Sequence, residues 1–294
     1  GISLGTTAQA MARLRQLPGH KVDTGLAAML GRTDKYLGLL GHFVAVHADD
    51  MAAVEGLLAG GKKGMIIIDC STSNPVSTKQ MAALADSHGM HFIDAPLGRT
   101  PVEAEAGTLD SMVGASDEIF AKVKPVLECW SGNIVHLGPV GLGHTMKLIN
   151  NFIAMGYAAL FSEALSIARK AGLSQDQFHA VIGSGRMRSP FYDTFMKWTM
   201  NGDENAHKFT ISNAHKDMRY LASMAGELGV VNPIQANVKN SFAAMEAAGQ
   251  GQRFVPMLAD FIAELNQYAL ETEITFTNLK IHQPHIYENN GSTK

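Results

Sequence analysis

The stretch Met65-Ile66-Ile67-Ile68-Asp69-Cys70-Ser71-Thr72-Ser73-Asn74-Pro75 decides the fold class. Its continuous apolar run, without alternation, is the pattern of a strand covered on both faces, as in a parallel sheet flanked by helices. The polar residues behind it change the period. Ser73 or Asn74 can serve as an N-cap and Pro75 suits the first helical position, so a helix is expected to about His88, where Gly89 stops it. Phe92-Ile93-Asp94 reads as the next strand. Further out, Ser111-Met112-Val113 and Asn133-Ile134-Val135-His136-Leu137 read as strands. Between them, a helix capped by Ser116 is expected to about Lys124, with Pro125 opening a short second one. This alternation is the α/β signature.

After Gly143 the character changes. From 146 to 171 no Gly or Pro occurs except Gly156, and apolar residues occupy nearly every face, which predicts a long, mostly buried interdomain helix. Helical periods continue from Ser174 to Asn266. The expected division is an α/β domain over 1–143, an all-α domain over 144–266, and an extension or disordered tail over 267–294. The part before Met65 is thin: half of a doubly wound domain wants roughly 80 residues at usual element lengths. No strand precedes the first glycine turn.

Composition narrows the function. The 294 residues are 46% apolar and 17% charged, enough for two real cores. Twenty-four basic against 27 acidic residues give a net charge of −3, without the footprint of a nucleic-acid partner. Cys70 and Cys129 lie far apart with no metal-ligand spacing, so neither a disulfide framework nor a zinc site is expected, and a reducing cytoplasm fits. No run of 18 uncharged apolar residues or leader pattern appears, so no membrane partner is expected.

Five constellations could carry chemistry. Ser3-Leu4-Gly5-Thr6-Thr7-Ala8 is a degraded G-x-G-x-x-G, in which Ser3, Gly5 and Ala8 are small enough to admit a pyrophosphate; an ordinary N-terminal helix is the bland alternative. Arg32, in Gly31-Arg32-Thr33, could meet an adenosine 2′-phosphate or belong to a solvated turn. Gly98-Arg99-Thr100, just after a strand, is well placed for a small anion, with Arg99 the main contact; a surface Arg in a turn is the competing reading. Lys147 and Asn151 share a helix face at i and i+4, which suits a cleft, or else an interfacial Lys reaching for water. Finally, His215-Lys216-Asp217 is an exposed charged face unless Lys216 reaches across a cleft. His144 and His215 lack ligand spacing and are read as structural; no metal is expected.

In combination, Asp69-Cys70-Ser71-Thr72, Asp94-Ala95-Pro96 with Gly107-Thr108-Leu109, Gly141-Leu142-Gly143 with Lys147 and Asn151, and Lys216-Asp217 resemble the β-hydroxyacid dehydrogenase family from about Gly61 to Asn266. The resemblance implies a Rossmann domain and a helical domain joined by the long helix, with NAD or NADP held between them. It would make Lys147 the acid/base, Asn151 the residue fixing substrate, Thr72 a neighbour of the nicotinamide, and Lys216 a closure over the cofactor. A homodimer or homotetramer is implied. The Gly98-Arg99-Thr100 version is similar to the sulfolactaldehyde and succinic semialdehyde reductase branch, implying a small anionic aldehyde or hydroxy acid as substrate. An imine reductase-like enzyme and a non-catalytic assembly protein are the rival readings; Lys147 argues against the first.

Overall fold

A computed structural model describes residues 58–266 and the strand segments 22–23, 36–40 and 43–46. In order, the strands are β1 (Val22–Asp23), β2 (Tyr36–Leu40), β3 (Phe43–Val46), β4 (Ile66–Asp69), β5 (His91–Asp94), β6 (Leu97–Gly98), β7 (Leu109–Gly114) and β8 (Ser131–Gly138). They form one sheet in the order β1-β2-β3-β4-β5-β7-β6, with β8 on β7. β3, β4 and β5 are parallel, as are β7 and β8. The sheet is nevertheless mixed: β1, β2 and β3 are antiparallel neighbours, and β7 runs against β5 and β6.

β4 is buried at every position, as its unbroken apolar run requires. Ile66 and Ile68 join Ile93, Leu109 and Val113 in one cluster, while Ile67 packs with Met81, Ala85 and Phe92 in another. Helix α1 (Pro75–Ser87) follows β4, with Pro75 in its first turn; of the two expected caps, Asn74 is used, its side chain accepting from the Val76 N–H. Helix α2 (Pro101–Ala106) follows β6, and α3 (Asp117–Leu127) links β7 to β8. The break expected at Pro125 does not occur. Pro125 lies in the last turn of α3, where a missing N–H costs little of the ladder and Val123, Val126 and Leu127 keep the buried stripe continuous.

The long helix, α4 (Leu142–Lys170), begins four residues earlier than its apolar pattern suggests. Its buried positions His144, Leu148, Asn151, Met155, Ala158, Ser162 and Leu165 recur at three- and four-residue steps. By length and hydropathy it could cross a membrane, but that face fills the core of the helical domain. There α5 (Gln175–Ser184), α6 (Pro190–Asn201), α7 (Ile211–Glu227), α8 (Pro233–Met245) and α9 (Leu258–Leu265) complete the chain as far as it is described. The only β pairing among these described residues is the single bridge between Thr210 and Phe254.

Candidate active site

The candidate site, the crevice of an open α/β sheet, is expected where the C-terminal ends of β4 and β5 meet the first turns of α4, the position at which such sheets bind ligands. Asp94, the last residue of β5, fixes the start of α4. Its Oδ1 accepts from Gly141 N and its Oδ2 from His144 N, both at 2.7 Å. The helix therefore takes its cap from a side chain 47 positions away, Gly141 having none of its own. Gly141 adopts φ +96°, open to glycine at little cost. Gly143 is required by close approach, because a Cβ there would collide with the Met112 carbonyl and the Asp94 carboxylate. Burial pushes Asp94 up to about 6 despite these backbone donors.

One turn on, Lys147 and Asn151 face helix α7. Asn151 is 8% exposed, and its Nδ2 donates to Asp217 Oδ2 at 2.7 Å. Asp217, 1% exposed, also lies 3.4 Å from Lys216 Nζ. Burial raises the Asp217 pKa, against the pull of Lys216, Asn151 and Lys147. Burial lowers that of Lys147: Asp217 opposes this, Lys216 adds to it, and Asp110 opposes it. The result is a lysine that gives up its proton more readily than one in water.

Lys216 crosses the crevice. Its Nζ donates to the Thr72 carbonyl at 3.0 Å and lies 5.3 Å from the centre of the Tyr220 ring. A second bridge joins Asn74 Nδ2 to Ser223 Oγ at 3.1 Å, so α7 is tied twice to the loop after β4. Behind that loop His144 is fully buried, its Nδ1 2.8 Å from Thr78 Oγ1, and burial lowers its pKa to about 3. His144 is therefore neutral, consistent with the structural reading. His215 pairs with Glu246 on the far side of α7.

The anion-binding candidate stands at the other end. Gly98 pairs across the sheet with Asp110, and Arg99 Nε donates to Asp110 Oδ2 at 2.9 Å. Thr100 is occupied differently: its hydroxyl caps α2 and pairs with Glu103, so it is not a free ligand for substrate. Asn151 and Lys216 thus meet at Asp217, Lys216 carries the contact on to Thr72, and Lys147 lies within electrostatic reach of Asp217, Lys216 and Asp110, the last of which holds Arg99. Ser3, Gly5, Ala8 and Arg32 lie outside the described residues, as does the expected tail over 267–294. Among the described residues no group of three or more His, Cys, Asp or Glu is placed to hold a metal. The sequence reading missed the Asp94 cap and the Asp110 partner; the fixed spacing of Gly141 and Gly143 before Lys147 was the available hint of a crowded helix start.

Two family profiles match consecutive parts of the chain. One, described as the NAD binding domain of 6-phosphogluconate dehydrogenase, covers 34–138; the other, described as NAD-binding of NADP-dependent 3-hydroxyisobutyrate dehydrogenase, covers 141–258. A 2-(hydroxymethyl)glutarate dehydrogenase from Eubacterium barkeri is 35% identical over 198 residues, which are 67% of this chain and 65% of that protein. A 3-sulfolactaldehyde reductase from Escherichia coli (strain K12) is 28% identical over 221 residues, 75% of this chain and 72% of that one. In structure, a Mycobacterium tuberculosis 3-hydroxyisobutyrate dehydrogenase solved with L-serine superimposes with a TM-score of 0.68 at 25% identity, over 75% of this chain and 79% of that one. These define a protein with a dinucleotide-binding domain followed by a helical one. Together the two profiles span 34–258, and with these relatives they support placement in the β-hydroxyacid dehydrogenase family.

Proposed function

We propose that the chain is an oxidoreductase transferring a hydride between NAD(P)H and the aldehyde carbon of a short acid, giving a terminal alcohol in the reductive direction. The observation that carries this reading is the desolvated Lys147, one turn from an Asn151 anchored by a buried carboxylate, opposite a loop that Lys216 holds. The family profiles and the names of the relatives support the same class.

The described residues fit a nicotinamide cofactor. Ser71 Oγ is buried without a hydrogen-bond partner among them, in the loop after β4 beside Thr72, where a dinucleotide would leave it satisfied. Thr72 and Lys216 would flank the bound group, with Ser3, Gly5, Ala8 and Arg32 as the phosphate-side candidates. When bound, the cofactor supplies or accepts the hydride. Lys147 carries the proton: its ammonium donates to the developing alkoxide and offsets its charge, and in oxidation its neutral amine takes the proton back. Asn151, immobilised by Asp217, positions the substrate oxygen beside that ammonium. Arg99 pairs with the carboxylate or sulfonate at the far end of the substrate.

In this reading the dinucleotide domain is 1–143 and the substrate domain 144–266, with the reaction at their junction. A homo-oligomer belongs to the proposal, supported by the exposed stripe Ile149, Ile153, Leu160 and Ile167 on the outer face of α4. So does a reducing, cytoplasmic setting, supported by Cys70 and Cys129, both buried and neither in a disulfide among the described residues. The test follows the absorbance of NADH and NADPH with succinic semialdehyde, tartronate semialdehyde, methylmalonate semialdehyde and sulfolactaldehyde. Oxidation of either cofactor by at least one of them is expected; none with all four overturns the assignment.

A further inference from the structure

The ion pair at the exposed end of the crevice is poorly explained as a stabilising element. Arg99 stands 48% and Asp110 28% exposed in their side chains, and pairs of that kind add little to stability. Arg99 also has φ +77°, the one non-glycine residue in left-handed backbone among those described, a conformation that costs free energy wherever it occurs. Asp110 Oδ1 is buried with no hydrogen-bond partner among the described residues, a further cost. Strained backbone and a half-satisfied carboxylate persist when something else depends on the arrangement.

The geometry around the pair is closely set. Asp110 lies directly opposite Gly98, and a Cβ on Gly98 would come within 3.2 Å of the Asp110 Cβ. Along β7 the partly exposed Asp110 and Met112 alternate with the buried Leu109, Ser111 and Val113, placing the first two on one face. The strand itself adjoins α4: the Met112 carbonyl is what a side chain at Gly143 would strike, one turn before Lys147. The Arg99 contact uses Nε alone, and neither Nη has a hydrogen-bond partner among the described residues.

We propose that Asp110 is the positioning residue for Arg99: it holds the guanidinium by Nε and leaves both Nη groups as a fork for the carboxylate or sulfonate of the substrate. Bidentate binding of such planar or tetrahedral anions needs the fork held at a fixed angle, which a flexible arginine on an exposed turn would not provide. The same carboxylate is one of the two that favour the charged form of Lys147, so the pair belongs to the field in which the reaction takes place. This inference rests on the functional reading above and adds to it a residue that sets the preference for anionic aldehydes.

The test compares succinic semialdehyde with butanal, an uncharged aldehyde of the same length, in Asp110→Ala, Asp110→Asn, Arg99→Ala and the Asp110→Ala/Arg99→Ala double variant. Asp110→Ala should raise KM for succinic semialdehyde about tenfold, with kcat within about threefold and KM for butanal unchanged. Asp110→Asn, whose amide oxygen still accepts from Nε, should recover most of the loss. In the Arg99→Ala background the second substitution should add nothing. Additive losses, an equal rise for butanal, or a fall in kcat at constant KM overturns the proposal. If the wild type turns over no aldehyde, the functional reading fails by itself. The pair is then read by thermal protection with sodium succinate, expected in the wild type and Asp110→Asn and lost in Asp110→Ala and Arg99→Ala. Equal protection in all variants, or none in the wild type, overturns the proposal.

Discussion

The two ends of the crevice are built on opposite terms. At the inner end Asn151 and Asp217 are buried between two long helices and joined by a hydrogen bond of 2.7 Å, with the half-buried Lys147 beside them. At the outer end Arg99 and Asp110 form a solvent-facing pair on a strained turn. Burial at the inner end shifts ionisation equilibria and fixes geometry, which is what proton transfer needs. Exposure at the outer end leaves charge available to a ligand that arrives hydrated. Under the proposed function, chemistry belongs to one end and recognition to the other, and substitutions at the two ends should fail in different measurements.

The largest difference is expected for turnover. Lys147→Ala should lower kcat by about 10² to 10⁴, the usual worth of a positioned acid or base, while the thermal shift given by saturating NADH or NADPH persists. Lys147→Arg should not rescue it, because a guanidinium does not release its proton at accessible pH. Near-normal turnover in either variant would place the chemistry elsewhere and break the contrast.

Stability should follow the same division. Asn151→Ala leaves the Asp217 carboxylate buried with one partner fewer, an expected loss of roughly 1–3 kcal/mol in denaturant unfolding. Asp110→Asn at the exposed end should stay within about 0.5 kcal/mol of wild type. Equal losses would mean that the outer pair is as structural as the inner one.

The pH profile sharpens the comparison further. Lys147 is depressed below its ordinary value by burial, with Asp217 and Asp110 favouring the ammonium and Lys216 disfavouring it. Reduction needs the ammonium, so its rate should fall as pH rises through that lowered pKa; oxidation needs the amine and should rise over the same range. Asp217→Asn removes an attraction for the charged form and should move the limb to still lower pH. Asp110→Asn should move it in the same direction by less, since the influence of Asp217 is the larger. A limb unmoved by both substitutions would assign the titration to another group.

Much of the inner end was legible in the sequence, because its parts are local. Lys147 and Asn151 share a face by helical period alone, and the apolar run of β4 announces a strand covered on both sides. The parts that escaped are pairings across distance. Asp94 caps a helix 47 positions away, Asp217 meets Asn151 across 66, and nothing in a one-dimensional pattern reports such contacts. The start of α4 was misjudged for the same reason: its cap is not a neighbour in the chain. Asp110 escaped because an isolated acidic residue in a strand reads as a solvated position until cross-strand register sets it opposite Gly98.

The smallest effect isolates the backbone. At φ +77° Arg99 bears a penalty of roughly 1–2 kcal/mol that glycine avoids, although glycine adds about 0.4–1 kcal/mol of unfolded-state freedom relative to alanine. Arg99→Ala keeps the penalty and loses the ion pair; Arg99→Gly loses both. The glycine variant should therefore be the more stable of the two by up to about 1 kcal/mol, while both weaken succinic semialdehyde binding equally, since neither has a guanidinium. Recognition and strain would then be separated at one position: what the enzyme gives up in folding free energy at the outer end is tied to the side chain it presents there. An alanine variant more stable than the glycine one, by the roughly 0.4–1 kcal/mol of unfolded-state freedom alone, would mean that the turn relaxes once the arginine is gone, and that the left-handed backbone is imposed by the Asp110 contact and not by the loop around it.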